Sequence, residues 1–405
     1  MRHHGLLASS TMVPAKTATK RYMRPPPQFA HDWFSPLRSS DVAPGTITNF
    51  TFMGHELIAF RDSAGTVKVL DAQCPHFGAH RGVGGRVVDG CVRCPFHGLH
   101  FDGDGQCVKG DFVKDARYLR HVKSPPWTVR EAAESIFIWH GPDRQRPARP
   151  LPFAEPGFFD GWSPPVTNAG RRLAPTNLFF PTENIIDIQH FYAVHFWKLH
   201  SIAKHPGEDE DGNFTSVMRM TWVAGAQSRW AWLRRLGQAY HSEFDFDIRI
   251  LGPGMALALS TLTPEQGSLQ IMNIILMTPV NETDCHIRVV SAVKRTIDHP
   301  LNRLAKRIVG KGLEDLLARV FLAIATKDFD GDEMIWTHRR FLVNPKPLPD
   351  DGPIIAYRKW CERFWPPDYL PDPPVEPAET LAHPNVSEPA DESATDEPSR
   401  SPIEA

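Results

Sequence analysis

The sequence predicts an α+β protein with two domains, the first all-β and the second an antiparallel sheet with helices packed on it. Three observations support this class. Up to about residue 145, short β-rich runs alternate with turns that contain Gly and Asp. Beyond that point, longer runs either alternate apolar and polar residues or are continuously apolar, as sheet strands are. Two later segments carry apolar residues at helical spacing, which adds helices to the sheet.

The first domain is expected over 26–145, after a polar, flexible N-terminal arm over 1–25 that ends in a Pro-rich run. The segment HELIAFRDSAGTVKVLDAQC (55–74) has two β-rich runs joined by a Ser-Ala-Gly turn. This pattern predicts a hairpin that delivers Cys74 at its end. Turn signals continue to about residue 145, where a Pro-rich stretch indicates a domain boundary.

The second domain is expected over 146–370. The segment ENIIDIQHFYAVH (183–195) is typical of a helix, and LQIMNIILM (269–277) of a fully buried strand, because it is short and β-rich. The segment FDFDIRI alternates strictly, with one face made of Phe244, Phe246, Ile248 and Ile250. The segment LEDLLARVFLAIA predicts an amphipathic helix with an apolar face made of Leu313, Leu316, Leu317, Val320 and Ile324.

Composition excludes several classes of protein. The net charge is −2, so the sequence does not predict a basic surface that binds nucleic acid. No apolar run reaches the roughly 18 residues that would span a bilayer. Four of the six cysteines lie between Cys74 and Cys107 beside histidines, which favours metal binding in a reducing compartment over a disulfide scaffold. We expect a cytoplasmic protein, with a Pro-, Glu- and Ser-rich disordered tail over 371–405.

The segment CPHFGAHRGVGGRVVDGCVRCPFHG places one Cys and one His on each side of a glycine-rich gap. Cys74 and His76 are separated by one residue, and Cys94 and His97 by two. Zinc sites usually take two thiolates from one turn. A two-iron cluster with two thiolates on one iron and two imidazoles on the other fits this divided pattern better. The spacing therefore indicates a [2Fe-2S] cluster, with zinc as the alternative.

A second group of metal-binding residue types follows in the second domain. Asp187 and His190 are three residues apart and share a helix face. His190 and His195 are five apart, about 140° around a regular helix, so both reach one ion only where the helix bulges or ends. A later segment, TKDFDGDEMIW (326–336), offers three carboxylates, Asp328, Asp330 and Asp332.

The pattern Cys-x-His…Cys-x2-His resembles the Rieske [2Fe-2S] motif, and residues 30–366 resemble the Rieske non-haem iron oxygenases. The resemblance implies a Rieske domain followed by a helix-grip (START-like) catalytic domain. It implies cluster ligation by Cys74, His76, Cys94 and His97.

In that family the pattern Asn/Glu-x2-Asp-x2-His-x4-His carries two ligands of a mononuclear Fe(II), which correspond here to His190 and His195. A late carboxylate four residues before a tryptophan completes the set. Trp336 therefore selects Asp332, with Asp328 as the second choice. The family usually has glutamine just before this ligand, whereas this chain has Gly331.

The resemblance also gives Asp187 a role other than iron ligation. In the resembling enzymes, this position links a Rieske histidine of a neighbouring subunit to a histidine on the mononuclear iron. The link here would join His76 or His97 to His190 across a subunit boundary. The resemblance therefore implies a head-to-tail homotrimer.

Three stretches are most similar to the 3-ketosteroid 9α-hydroxylases and cholesterol 7-desaturases: ENIIDIQHFYAVH, ILGPGMALALS and DDGPIIAYRKWCERFW. The resemblance implies a terminal oxygenase that uses O2 and NAD(P)H-derived electrons on a bulky hydrophobic, sterol-like substrate. The sequence has no dinucleotide or flavin signature, so we expect a separate reductase, with or without a ferredoxin. Hydroxylation, desaturation, and the N-oxygenation or oxidative cyclisation of natural-product enzymes all remain open. A Rieske electron-transfer protein without oxygenase chemistry is the alternative from another class.

Overall fold

The fold is described from a computed structural model of the chain. It defines residues 26–195, 197–223, 241–262, 269–295, 312–348 and 350–369. The predicted arm over 1–25 and the predicted tail over 371–405 lie outside these residues. The described residues form one compact unit. No helix in the described ranges combines the length and the apolar character that crossing a bilayer requires.

The N-terminal part is built from short antiparallel strands, as predicted, with one helical turn. Its elements are β1 (Asp32–Arg38), β2 (Thr48–Phe52), β3 (His55–Arg61), β4 (Val67–Asp71), β5 (Arg86–Val88), β6 (Cys91–Arg93), β7 (Leu99–Phe101), β8 (Cys107–Gly110), α1 (Ala116–Leu119), β9 (Val129–Ala132) and β10 (Ser135–His140). They form three sheets with the strand orders β1-β10-β9, β2-β3-β4 and β5-β6-β7-β8. The predicted hairpin is β3-β4, and its turn places Gly65 at φ 81°, a conformation that glycine adopts without strain.

The second part is an antiparallel sheet with helices, which confirms the predicted fold class. Its elements are β11 (Val166–Thr167), β12 (Arg171–Leu173), α2 (Phe179–Ile186), α3 (Ile188–Ala193), β13 (Lys198–Glu208), β14 (Phe214–Val223), β15 (His241–Gly252), β16 (Met255–Leu262), β17 (Leu269–Pro279), β18 (Cys285–Arg295), α4 (Gly312–His338) and α5 (Ile354–Cys361). The sheet order is β11-β18-β17-β16-β15-β14-β13, and β12 also pairs with β18.

Strand β17 is mostly apolar because both of its faces are covered. Met272, Ile274 and Leu276 pack in a core shared with strands β1 and β10 of the N-terminal part. Ile271, on the opposite face, packs in a core with residues of α4. Alternate residues of a strand point to opposite faces, so a strand buried on both sides needs apolar residues throughout.

The predicted apolar face of α4 is wrong at two of its five positions, whereas Leu317 packs on the core and Ile324 lines a cavity. Leu316 and Val320 are 54% and 45% exposed, whereas Ala318 and Leu322 are buried against the sheet. The line of inward-facing residues continues at three- and four-residue steps through Ala318, Leu322, Ala325, Phe329, Asp332 and Trp336. The first turns of the helix carry apolar residues on several sides, so spacing alone does not select the buried face. The contacts made further along the helix select it.

Candidate metal centres

The two Cys-His loops lie side by side at one end of the N-terminal part. Each loop is closed by a short backbone bond, 2.8 Å from Gly78 N to the Cys74 carbonyl and 3.1 Å from Gly98 N to the Cys94 carbonyl. Both cysteines are buried. Burial raises the pKa of the Cys74 thiol to about 11, so its sulfur stays protonated at neutral pH until a metal displaces the proton.

The two histidines of these loops face each other. The rings of His76 and His97 lie 4.8 Å apart. The Nδ1 atom of His76 is buried and has no hydrogen-bond partner among the described residues. A buried nitrogen without a partner is unfavourable unless it binds a metal. Two buried sulfurs next to two imidazoles are the donor set of a [2Fe-2S] cluster of the Rieske type.

The histidine side of this site is framed by three exposed phenylalanines, which we call the apolar collar: Phe77, Phe96 and Phe112. Their rings lie within 6.0 Å of the His97 ring. All three side chains are more than half exposed. Exposed aromatic residues grouped in one place indicate a surface that contacts another protein.

The segment expected to be one helix over 183–195 is instead two short helices, because the chain turns at Asp187. This residue has an extended conformation (φ −73°, ψ 105°). Its carboxylate Oδ1 accepts bonds from the backbone N–H groups of Gln189, at 3.1 Å, and His190, at 3.3 Å. Asp187 is therefore the N-cap of α3, a position that aspartate and asparagine both favour.

Helix α3 ends at Ala193, which explains how His190 and His195 come together. His195 lies beyond the helix end, so the two rings approach to 5.1 Å although the residues are five apart. The side chain of Asp332, on α4, completes a buried group whose possible ligand atoms all lie within 4.8 Å of one another. The Asp332 Oδ2 atom is 3.2 Å from His195 Nε2.

The other two aspartates of this segment of α4 have different surroundings. Asp330 is exposed and pairs with Arg171 at 2.7 Å. Asp328 lines the cavity beside the histidines but lies outside the group formed with Asp332. Burial raises the pKa of Asp328 to about 6.

The protonation of His190 suits a metal ligand. Its Nδ1 atom is 2.5 Å from the backbone carbonyl of Asp187, so Nδ1–H donates to that oxygen and Nε2 is left as the basic nitrogen. Burial lowers the pKa of His190 to about 4, which keeps the imidazole neutral. Two neutral imidazoles and one carboxylate are the donor set that non-haem Fe(II) takes in oxygenases.

Two contacts near this group were not predicted from the sequence. The Asn184 side chain on α2 donates from Nδ2 to the Asp332 Oδ1 atom at 2.9 Å. Glycine at position 331 allows close approach of α4, because a Cβ there would lie 2.9 Å from Val194 Cγ1. Asn184 corresponds to the first residue of the family pattern Asn/Glu-x2-Asp-x2-His-x4-His. This correspondence could have identified it as a residue of the site.

A mostly apolar cavity of about 130 Å³ adjoins His190, His195 and Asp332. A second cavity of about 270 Å³ shares six lining residues with it and extends under the sheet. The shared residues are Trp197, Phe246, Ser260, Asn273, Ala325 and Asp328. Two adjoining apolar cavities with few polar groups are typical of a site for a large hydrophobic molecule.

Protein-family comparisons agree with both halves of this description. The Rieske [2Fe-2S] domain family matches residues 32–125, and the 3-ketosteroid 9alpha-hydroxylase C-terminal domain family matches residues 138–365. The protein is thus a Rieske-type non-haem iron oxygenase, an enzyme with a [2Fe-2S] cluster. More particularly, the chain belongs to the family defined by the 3-ketosteroid 9alpha-hydroxylase C-terminal domain. The zinc and pure electron-carrier alternatives are therefore wrong.

Individual relatives and structures are consistent with this family. The chain is 26% identical to cholesterol 7-desaturase nvd 1 of Ciona intestinalis over 84% of this chain and 69% of that protein. It is 25% identical to the oxygenase component of 3-ketosteroid-9-alpha-monooxygenase of Rhodococcus rhodochrous over 84% of this chain and 85% of the relative. Apo dicamba monooxygenase shares the fold, with a TM-score of 0.55, 22% identity and coverage of 83% of this chain and 97% of the other.

Proposed function

We propose that this protein is a terminal oxygenase component that hydroxylates or desaturates a bulky hydrophobic, sterol-like substrate. It uses O2 and electrons from NAD(P)H, delivered by a separate reductase, directly or through a ferredoxin. The observation that carries the proposal is the apolar cavity that reaches the buried His190, His195 and Asp332 group. The names of the relatives, which act on cholesterol and on 3-ketosteroids, support the same substrate class. We also keep the prediction of a cytoplasmic location, because the cluster sulfurs must stay reduced before assembly.

The proposal assigns the cluster to Cys74, His76, Cys94 and His97. Their side chains supply two thiolates and two neutral imidazoles from adjacent loops. The loops hold this arrangement through their own backbone bonds, so little side-chain rearrangement is needed on assembly.

The mononuclear iron is assigned to His190, His195 and Asp332. Bound there, it would supply the activation of O2. The chain's own residues orient the ligands: the Asp187 carbonyl fixes the tautomer of His190, and Asn184 holds one carboxylate oxygen of Asp332. The apolar walls around the group exclude water from the reacting face of the substrate.

The cavity walls suggest how the substrate is held. Aromatic and aliphatic side chains supply most of the contact area, as a ring system requires. Ser260 and Asn273 line both cavities and offer hydrogen-bonding groups. The Ser291 hydroxyl donates to Asn273 Oδ1 at 2.5 Å, which fixes the orientation of the amide. We propose that these groups bind a hydroxyl or keto oxygen on an otherwise apolar substrate.

The substrate class is tested by single turnover. Anaerobically reduced protein is mixed with O2 and, separately, with sterols, 3-ketosteroids and small aromatic acids, and products are identified by mass spectrometry. Sterols or 3-ketosteroids should give up to about one product molecule per chain, because both cavities are lined mainly by apolar side chains. Turnover confined to the small aromatic acids would contradict the proposed substrate.

We further propose that the protein is a homotrimer in which a neighbouring subunit covers the apolar collar. The cluster histidines lie within this collar, so an interface there would bring the cluster close to another subunit. The exposed apolar area supports a protein contact of this kind.

The interface is tested with Phe96→Asp. A carboxylate at the centre of a buried contact would be desolvated without a partner, so the trimer should dissociate to monomers in light scattering. The matched control is Leu342→Asp, since Leu342 is 61% exposed and Phe96 is 62% exposed. The control should keep the native mass, and both variants should keep the visible absorption of the cluster. A trimeric Phe96→Asp protein would argue against the collar as interface.

A further inference from the structure

Arg81 is a buried cation next to the proposed cluster site. It lies in the same loop as His76, and its side chain is fully buried, with 0% exposure. The guanidinium carbon lies 4.6 Å from the centre of the Phe101 ring, which belongs to the core that also contains Cys74 and Cys94. Arginine is almost never fully buried unless another charged group compensates it.

The hydrogen bonds of Arg81 do not supply that compensation. Its Nη2 atom donates to the backbone carbonyl of Asp71 and to the Ser124 hydroxyl, the latter at 2.7 Å. Both acceptors are neutral. The Nε and Nη1 atoms are buried and have no hydrogen-bond partner in the described part of the chain.

The nearest carboxylate is bonded to other groups. The Asp71 Oδ1 atom accepts from Trp127 Nε1 at 2.9 Å and from Arg144 Nη1 at 3.1 Å. It therefore has its own cation, Arg144, while Arg81 is left with a formal positive charge that no hydrogen-bonded anion neutralises.

Besides Asp71, the groups that act electrostatically on Arg81 are three cysteines of the same core, two of which are the cluster ligands Cys74 and Cys94. Burial lowers the pKa of Arg81, and the thiolate forms of Cys74, Cys94 and Cys107 oppose this effect, together with Asp71. A guanidinium stays protonated in proteins even when it is buried. The positive charge is thus a permanent part of the surroundings of Cys74 and Cys94.

A Rieske cluster changes charge when it transfers electrons. With two thiolate and two neutral imidazole ligands, the oxidised cluster is neutral overall, and uptake of one electron from an external reductant gives a net charge of −1. A fixed cation in a low-dielectric core favours the more negative state. The electron reduces one ferric ion to ferrous, and no proton has to leave or enter Arg81.

We propose that Arg81 stabilises the reduced cluster by its buried charge and so raises the reduction potential of this protein. Arg81 acts on the cluster electrostatically, through space, and is therefore not a catalytic residue. This inference rests on the assignment of the cluster to Cys74, His76, Cys94 and His97.

The test is a redox titration of the purified holoprotein followed by visible absorption and EPR. At the potential where wild-type cluster is half reduced, Arg81→Met should lower the ratio of reduced to oxidised cluster about tenfold, a shift of about 59 mV for one electron. Arg81→Lys keeps the charge and should stay close to wild type. Arg86→Met removes an exposed positive charge from the following strand, where solvent screens it, and should leave the midpoint unchanged.

Two results would overturn the proposal. One is a wild-type midpoint in an Arg81→Met protein with an assembled cluster, and the other is an equal decrease in Arg81→Met and Arg81→Lys. If Arg81→Met does not assemble a cluster, Arg81→Gln replaces it, because glutamine keeps amide donors without the charge. An Arg81→Gln midpoint equal to that of Arg81→Lys then counts against the proposal. A wild-type protein without a Rieske EPR signal would instead refute the cluster assignment.

Discussion

Replacing Asp332 by alanine should remove the mononuclear iron and abolish product formation while the cluster remains intact. The Asp332 carboxylate is the negative member of the buried group, 3.2 Å from His195 Nε2. Without it, two neutral imidazoles are left, and a site with three protein ligands becomes one with two. We expect iron to decrease from about three to about two atoms per chain, since a Rieske cluster holds two.

The measurement combines iron analysis, the visible spectrum and single-turnover product formation. The matched control is Asp328→Ala, one helical turn earlier and lining the same cavity. It should keep all the iron, because Asp328 lies outside the group formed by the two histidines and Asp332. Loss of iron in Asp328→Ala and its retention in Asp332→Ala would reverse the ligand assignment. His190→Ala and His195→Ala should resemble Asp332→Ala.

Replacing Asp187 by asparagine should slow electron delivery from the cluster while the fold and both metal sites are kept. We propose that the Asp187 carboxylate, whose Oδ1 accepts from the His190 backbone N–H, also accepts from a cluster histidine of a neighbouring subunit in the trimer and so connects that histidine to His190. The carboxylate has a second accepting oxygen besides the Oδ1 atom that caps α3, whereas the amide of asparagine has one accepting oxygen and no charge. Loss of such a connecting group typically costs about 10- to 100-fold in activity.

The N-cap geometry makes this substitution informative. Oδ1 of Asp187 caps α3, and asparagine is as good an N-cap as aspartate, so stability should change little. Stopped-flow reoxidation of the reduced cluster, with substrate and O2, measures the electron delivery. The control Asp351→Asn removes a neighbouring carboxylate that also acts on the pKa of Asp187, and it should keep the wild-type rate. Wild-type reoxidation in iron-replete Asp187→Asn would leave Asp187 with a capping role only.

The sequence predicted the features that depend on local spacing. The two Cys-His loops, the β3-β4 hairpin and the buried strand β17 are each encoded within one short segment. The requirement that the helix bulge or end between His190 and His195 also came from geometry, because residues five apart point in different directions on a regular helix, and the structure has the helix end.

Features that depend on distant parts of the chain were not predicted. The bond between Asn184 and Asp332 joins residues 148 positions apart, and the family pattern that contains Asn184 does not name its partner. The buried face of α4 is set by its contacts with the sheet and by Asp332 and Trp336 near its other end. The break between α2 and α3 depends on Asp187, whose side chain caps α3. Aspartate in a helical sequence pattern can lie either within a helix or at its N-cap, so the pattern did not show that a new helix begins there.

The close approach at Gly331 limits how this site can be redesigned or can diverge. Glycine inside a helix costs about 1 kcal/mol relative to alanine, yet any Cβ at position 331 would press on the stiff Val194 side chain at 2.9 Å. Val194 precedes His195, and Gly331 precedes Asp332, so a collision here separates two members of the metal-binding group. Positions 194 and 331 are therefore coupled: introducing the glutamine that resembling enzymes usually carry at 331 requires a smaller residue at 194 first. In this chain, we therefore expect a larger residue at 331 to be accepted only after the side chain at 194 has been made smaller.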